Sequence, residues 1–149
     1  NTNDIEIINE LADNLHLGVG NSIDLTINNV GNIGIGTTSP ETKLDVSGRG
    51  RFTSSVTASN YITSSDVRLK NNIQDISENN SIPVNWKTFE MDSEPNQKRY
   101  GVIAQELEVT NPEFVITGED GYKSVAYIDL LIAKIAELET RIKQLENNG

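Results

Sequence analysis

The C-terminal segment constrains the fold most. Ile128, Leu131, Ile135, Leu138, Ile142 and Leu145 recur at alternating spacings of three and four residues, the repeat of a helix with an apolar seam. With Ile128 at position a, isoleucine fills every a and leucine every d, while Lys134 and Arg141 stand at g and Glu139 and Glu146 at e. In a parallel coiled coil each g residue faces the e residue five positions on in the next chain. Lys134 then meets Glu139 and Arg141 meets Glu146, with opposite charges both times. Glu137–Arg141 and Glu139–Lys143 add i,i+4 pairs within one helix. Leu130 and Ile132 widen the apolar stripe at its start, which suits the first turn to covering a core of its own chain. Beyond Glu137 only the seam is apolar. A long helix is therefore predicted over about 125–147, associating in parallel with identical chains through the six seam residues. The seam runs for fewer than three heptads, too few to stand alone, so it depends on the domain beneath it. Isoleucine at a with leucine at d favours two strands in model systems, and the heptads by themselves leave dimer and trimer open.

The first half has a different grammar. It is rich in Asn, Ser, Thr and Gly, and its apolar residues come in short alternating bursts: Ile5 and Ile7; Leu15, Leu17 and Val19; Ile23, Leu25 and Ile27; Ile33 and Ile35; Leu44 and Val46. Period-two alternation marks strands with one buried face, and the intervening glycines mark turns or close backbone approach. Bursts this short bury little area within one chain, and an open sheet edge invites pairing. Strands supplied by several identical chains around a common axis answer both problems; an ordinary β-sandwich fragment is the simpler alternative. His16, the only histidine, is expected to pack on a strand or lie at the surface, since one histidine without partners makes neither a metal site nor a triad.

Bulk composition agrees with a shared core. Of 149 residues, 36% are apolar, low for a self-sufficient globule of this size. The formal net charge of -10 excludes a phosphate-backbone binder, which needs clustered Lys and Arg. The absence of cysteine removes disulfides, thiolate zinc sites and cysteine nucleophiles. No apolar run is long enough to cross a bilayer. The chain opens at Asn1 without a signal peptide or a methionine, and is expected to be a piece of a longer protein.

Composition changes near residue 65, which divides a β-rich part, 1–64, from a compact part, 65–149. In the second part, Val84 to Met91 is strand-like around Trp86 and Phe89. Tyr100 to Leu107 reads as a strand running into a short helix. Phe114 to Thr117 and Tyr122 to Val125 flank Gly118-Glu119-Asp120-Gly121 as a hairpin.

At the junction stands Thr63-Ser64-Ser65-Asp66-Val67-Arg68-Leu69-Lys70-Asn71-Asn72-Ile73. A serine hydroxyl is a poor nucleophile until a base takes its proton, and a lysine amine becomes a base only when desolvated. Lysines five residues from serines are common, however, and on these residues alone Ser65 serves equally well as a linker before Asp66 opens a helix.

The junction, together with Tyr100-Gly101-Val102-Ile103-Ala104-Gln105-Glu106-Leu107-Glu108, Asn111-Pro112-Glu113 and Val125-Ala126-Tyr127 in that order, resembles the intramolecular chaperone domains of phage tailspikes and tail fibres, the peptidase S74 family typified by endosialidase. The resemblance covers residues 65 to 149. Upstream, Gly31-Asn32-Ile33-Gly34-Ile35-Gly36-Thr37-Thr38-Ser39-Pro40 and Lys43-Leu44-Asp45-Val46 look like the stalk that often precedes this domain. The implied fold class is α+β: an extended β-rich trimeric stalk, then a small mixed α/β chaperone domain ending in a long helix that forms a parallel coiled coil.

The resemblance implies a function as well. Three copies assemble, template a triple-stranded β-stalk and release themselves by a single-turnover cut beside Ser65, with Ser65 as nucleophile and Lys70 as base. The bond after it, Ser65–Asp66, is the favoured one. Asp66 and Arg68 match the pattern too but equally form a structural ion pair; Gln105 and Glu106 match a motif that equally serves local packing. The expected partners are two further copies, the remainder of the fibre and, through other regions, a host surface receptor. No metal, cofactor, external substrate, nucleic acid or membrane is expected, and the location is the virion after assembly in the host cytoplasm. Two other readings are carried: an uncut trimerisation tip, and a receptor- or glycan-binding tip using Trp86, Tyr100 and Tyr122.

Overall fold

The computed structural model describes residues 13–76 and 81–148. The chain folds as two compact units divided between Ser64 and Ser65. It is mixed α+β, with three separate sheets among the described residues and a long C-terminal helix. The predicted strand at Ile5 and Ile7 lies outside the described residues.

In the first unit, β1 (Leu15–Leu17), β2 (Leu25–Ile27), β3 (Ile33–Ile35) and β4 (Leu44–Val46) form one sheet in that order. β1–β2 and β2–β3 are antiparallel and β3–β4 parallel. Register puts Leu15, Ile27, Ile33 and Leu44 in one cross-strand row and Leu17, Leu25, Ile35 and Val46 in another. Side chains two apart share a face, so these eight aliphatic residues occupy one side of the sheet. The middle row, His16, Thr26, Gly34 and Asp45, occupies the other.

The sheet is finished on its polar side. Thr26 is fully buried and accepts or donates a 3.0 Å bond with His16 Nδ1. The 37–40 loop folds across Gly34, where a Cβ would stand 2.5 Å from the Thr37 carbonyl oxygen; only glycine lets the loop approach. Asn28 and Asn32 both donate from Nδ2 to the Pro40 carbonyl at 3.3 Å, and Lys43 Nζ donates to the carbonyls of Val30 and Gly31. The motif around Gly34 is thus a polar knot that closes one face, while six of the eight aliphatic residues opposite are exposed.

The second unit builds its own small core. The hairpin of β5 (Lys87–Met91) and β6 (Glu94–Gly101) leads into α1 (Ala104–Thr110), and the hairpin of β7 (Val115–Thr117) and β8 (Lys123–Val125) into α2 (Tyr127–Asn147). Ile82, Val102, Leu107, Phe114 and Leu130 are buried together, with Val84, Val115, Val125 and Ala133 packed against them. Tyr127 Oη accepts from the Val102 backbone N–H at 3.0 Å. Its ring lies where a side chain at Gly101 would stand, with Cζ 3.0 Å from that position. Trp86, Tyr100 and Tyr122 are exposed. Among the described residues no helix is long and apolar enough to cross a membrane.

Helix α2 has two working faces. Leu130, fully buried, and the half-buried Ala133, Lys134 and Glu137 turn toward the unit's own core and the segment before β5. The seam residues lie roughly a third of a turn away and are exposed, from 46% at Leu131 and Leu138 to 72% at Leu145. Lys134, expected to face Glu139 of another chain, is engaged within its own chain: Nζ donates to the Ile82 carbonyl at 2.9 Å and to Glu137 Oε2 at 2.7 Å. Glu137 Oε2 accepts in turn from the Ile82 N–H at 3.0 Å. The two side chains therefore hold both polar groups of one buried residue's backbone, which would otherwise be left unsatisfied. Glu137 was expected to pair with Arg141; it pairs instead with Lys134, and Arg141 adds only a weaker charge effect.

Lys134, then the Ile82 N–H, hold the Glu137 carboxyl below the usual range. A carboxylate with a depressed folded value stabilises the fold above its unfolded pKa, and that contribution disappears as pH falls through the folded value. The melting temperature is therefore expected to drop as pH is lowered below about 4.5. Glu137→Gln should melt lower than the parent near neutrality and lose less on acidification, as read by circular dichroism across pH. Parallel pH curves for the two chains would contradict this assignment.

Candidate functional site

The junction motif forms one tight turn. Asp66, in extended conformation, caps a single 3-10 turn over Val67–Leu69 by accepting from the Arg68 N–H at 2.9 Å. Asp and Ser are preferred at such starts because a short side-chain oxygen reaches a free N–H two residues on. Leu69 N–H donates to the Asp66 carbonyl and Lys70 N–H to the Val67 carbonyl, each at 3.1 Å. Asn72 then takes a positive φ of 50°, which asparagine tolerates better than most residues.

The turn brings the two predicted catalytic residues together. Lys70 Nζ donates to Ser65 Oγ at 2.7 Å, the contact that a serine nucleophile and its base require. Five residues of extended chain span about 17 Å, so the contact exists because the chain reverses here. Ser65, Asp66, Arg68 and Lys70 are all exposed.

Asp66 and Arg68 form the ion pair that the sequence left open. Arg68 Nε donates to Asp66 Oδ1 at 3.0 Å and Nη2 to Oδ2 at 2.6 Å, a two-pronged grip on one carboxylate. The Arg68 side chain, and after it the Arg68 N–H, hold the Asp66 carboxyl below the ordinary range, and Asp66 holds the guanidinium charged.

Gln105 and Glu106 stand apart from this turn, on α1. Glu106 Oε2 accepts from Asn85 Nδ2 at 3.0 Å, and Oε1 lies 3.5 Å from Lys87 Nζ. It ties the helix to the start of β5, a packing role; Gln105 is exposed. An open groove of about 580 Å³ lies between α1 and the 83–85 segment, with Val84, Val102, Leu107 and Lys134 on its walls. Neither Ser65 nor Lys70 lines it. The backbone clamp of Lys134 and Glu137 on Ile82 had no signal in the sequence, because it joins residues more than fifty positions apart.

Four apolar side chains flank the turn without cover: Val67, Leu69, Ile73 and Ile76 are exposed. Residues 65–116 match the family Peptidase_S74, described as the chaperone of endosialidase. No curated protein and no solved structure matches the chain.

Proposed function

From a chain that carries a peptidase S74 domain, the chaperone of endosialidase, in residues 65–116, we propose a phage fibre or tailspike segment that assembles as a homotrimer, templates its own β-stalk and releases itself by one cut beside Ser65. The observation that carries this reading is the 2.7 Å hydrogen bond from Lys70 Nζ to Ser65 Oγ. Two uncovered apolar surfaces support the assembly step. One is the aliphatic face of the β1–β4 sheet; the other is the seam of α2 from Ile128 to Leu145. Three copies around one axis bury both, in a stalk and in a parallel coiled coil. Assembly also supplies what the lone chain lacks, since a lysine must be desolvated to act as a base and Lys70 is exposed.

Ring size bears on which bond is cut. Attack by the Ser65 hydroxyl on its own carbonyl carbon closes a four-membered ring, whereas attack on the Ser64 carbonyl closes a five-membered one. Cutting the favoured Ser65–Asp66 bond therefore calls for the Ser65 hydroxyl of a neighbouring copy, and the cut then waits for assembly. In that step Oγ gives its proton to the Lys70 amine and bonds to the carbonyl carbon. The carbon–nitrogen bond breaks, and the Asp66 nitrogen leaves with the proton. Water hydrolyses the ester, leaving a Ser65 carboxylate and a new amino terminus at Asp66.

A second reading, the uncut trimerisation tip, draws support from the exposure of the pair in a single chain. Mass determination on the assembled wild type beside Ser65→Ala separates the two. A fragment beginning at Asp66, absent from Ser65→Ala, is the expected result, with three copies per particle by light scattering. A fragment beginning at Ser65 would move the cut to the preceding bond, and intact wild-type chains in a trimer would establish the uncut tip.

A further inference from the structure

We infer that Asp66 and Arg68 are positioning residues for the Ser65–Lys70 pair, holding the turn that joins them and balancing the charge beside the Lys70 amine. This rests on the self-cleavage reading above. The geometry is specific. One carboxylate takes three donors from Arg68, the backbone N–H and the guanidinium Nε and Nη2, at 2.9, 3.0 and 2.6 Å. These bonds close the turn whose other end carries Lys70, so the grip and the 2.7 Å catalytic contact belong to the same six residues. Stability does not account for the arrangement, because an exposed ion pair adds little to a fold.

Charge does account for it. A carboxylate near an amine favours the ammonium form, which cannot act as a base; a guanidinium opposes that. Asp66 is needed as the cap, and Arg68 offsets its charge while tightening its hold. Asp66 and Arg68 are the charged groups on this turn, and among the described residues no ion pair reaches Lys70 from another element.

The test uses the full chain and two readouts: the pH profile of cleavage, and the titration of Lys70 in uncut Ser65→Ala chains, followed by NMR after ¹³C-methylation of the lysines. Arg68→Gln leaves an unbalanced carboxylate and should move both midpoints to higher pH. Asp66→Asn keeps a capping oxygen and leaves an unbalanced guanidinium, so both midpoints should move to lower pH. Arg68→Lys keeps the charge but loses the planar fork; its profile should stay in place while the rate falls. Shifts of opposite sign for the first two variants support the inference. Shifts of the same sign, or lower rates with no shift, overturn it. If the wild type does not cut, the self-cleavage reading fails by itself, and the Lys70 titration still decides whether the pair balances the charge.

Discussion

Under the proposed self-cleavage, Lys70→Ala is expected to stop the cut beside Ser65 while trimers still form. Loss of a positioned base commonly lowers a rate by about 10²–10⁴-fold, and for a reaction that each chain performs once this reads as intact protein on the timescale of assembly. Among the described residues the exposed Lys70 side chain bonds to Ser65 alone, so its loss removes no other side-chain contact of the fold. Circular dichroism and light scattering should therefore match the wild type. Lys70→Arg sharpens the test. Arginine can still donate to Ser65 Oγ but keeps its proton at any ordinary pH, so a base role predicts an uncut chain and a merely structural contact predicts a cut one. Cleavage of Lys70→Arg at the wild-type rate would remove Lys70 from the chemistry.

The second large effect separates the two faces of α2. Leu130 is fully buried against Ile82, Val102, Leu107 and Phe114. Leu130→Ala should destabilise the C-terminal unit by about 2–5 kcal/mol, the transfer and cavity cost of such a truncation. Against a total of about 5–15 kcal/mol for a typical domain, that is enough to unfold a small unit near its working temperature. Leu138, by contrast, is nearly half exposed in the single chain. If the seam joins identical copies, Leu138→Ala should lower the unfolding midpoint most at low protein concentration, because association stabilises by mass action. Urea unfolding at two concentrations reads both effects: Leu130→Ala shifts the curve by a similar amount at each, and Leu138→Ala does not. A Leu138→Ala curve superimposable on the parent at both would show that the seam is not an interface.

Much of the fold was legible because short-range pattern decides it. Alternation at Leu15–Leu17, Leu25–Ile27, Ile33–Ile35 and Leu44–Val46 marked all four described strands of the first unit, and the three-four spacing from Ile128 onward marked the long helix. The 118–121 hairpin turn and the strand leading into α1 were readable from glycines and from apolar runs. The hairpin between β5 and β6 was only half seen. Its second strand begins at Glu94 and runs through Pro95, Asn96, Gln97, Lys98 and Arg99, residues with no apolar alternation to give a strand away.

Local pattern along the chain marked most of the strands and the long helix, and it placed a serine five residues before a lysine. Which surfaces are already closed came from contacts between distant residues. The 37–40 loop covers the polar face of the β1–β4 sheet, Leu130 and not the seam meets the core, and Lys134 turns to Ile82 rather than outward. The tertiary structure also decided that Ser65 and Lys70 touch, through a capped turn. Periodicity reports that a segment has two faces; which face is covered depends on residues distant along the chain, and those contacts exist only once the backbone has closed on itself.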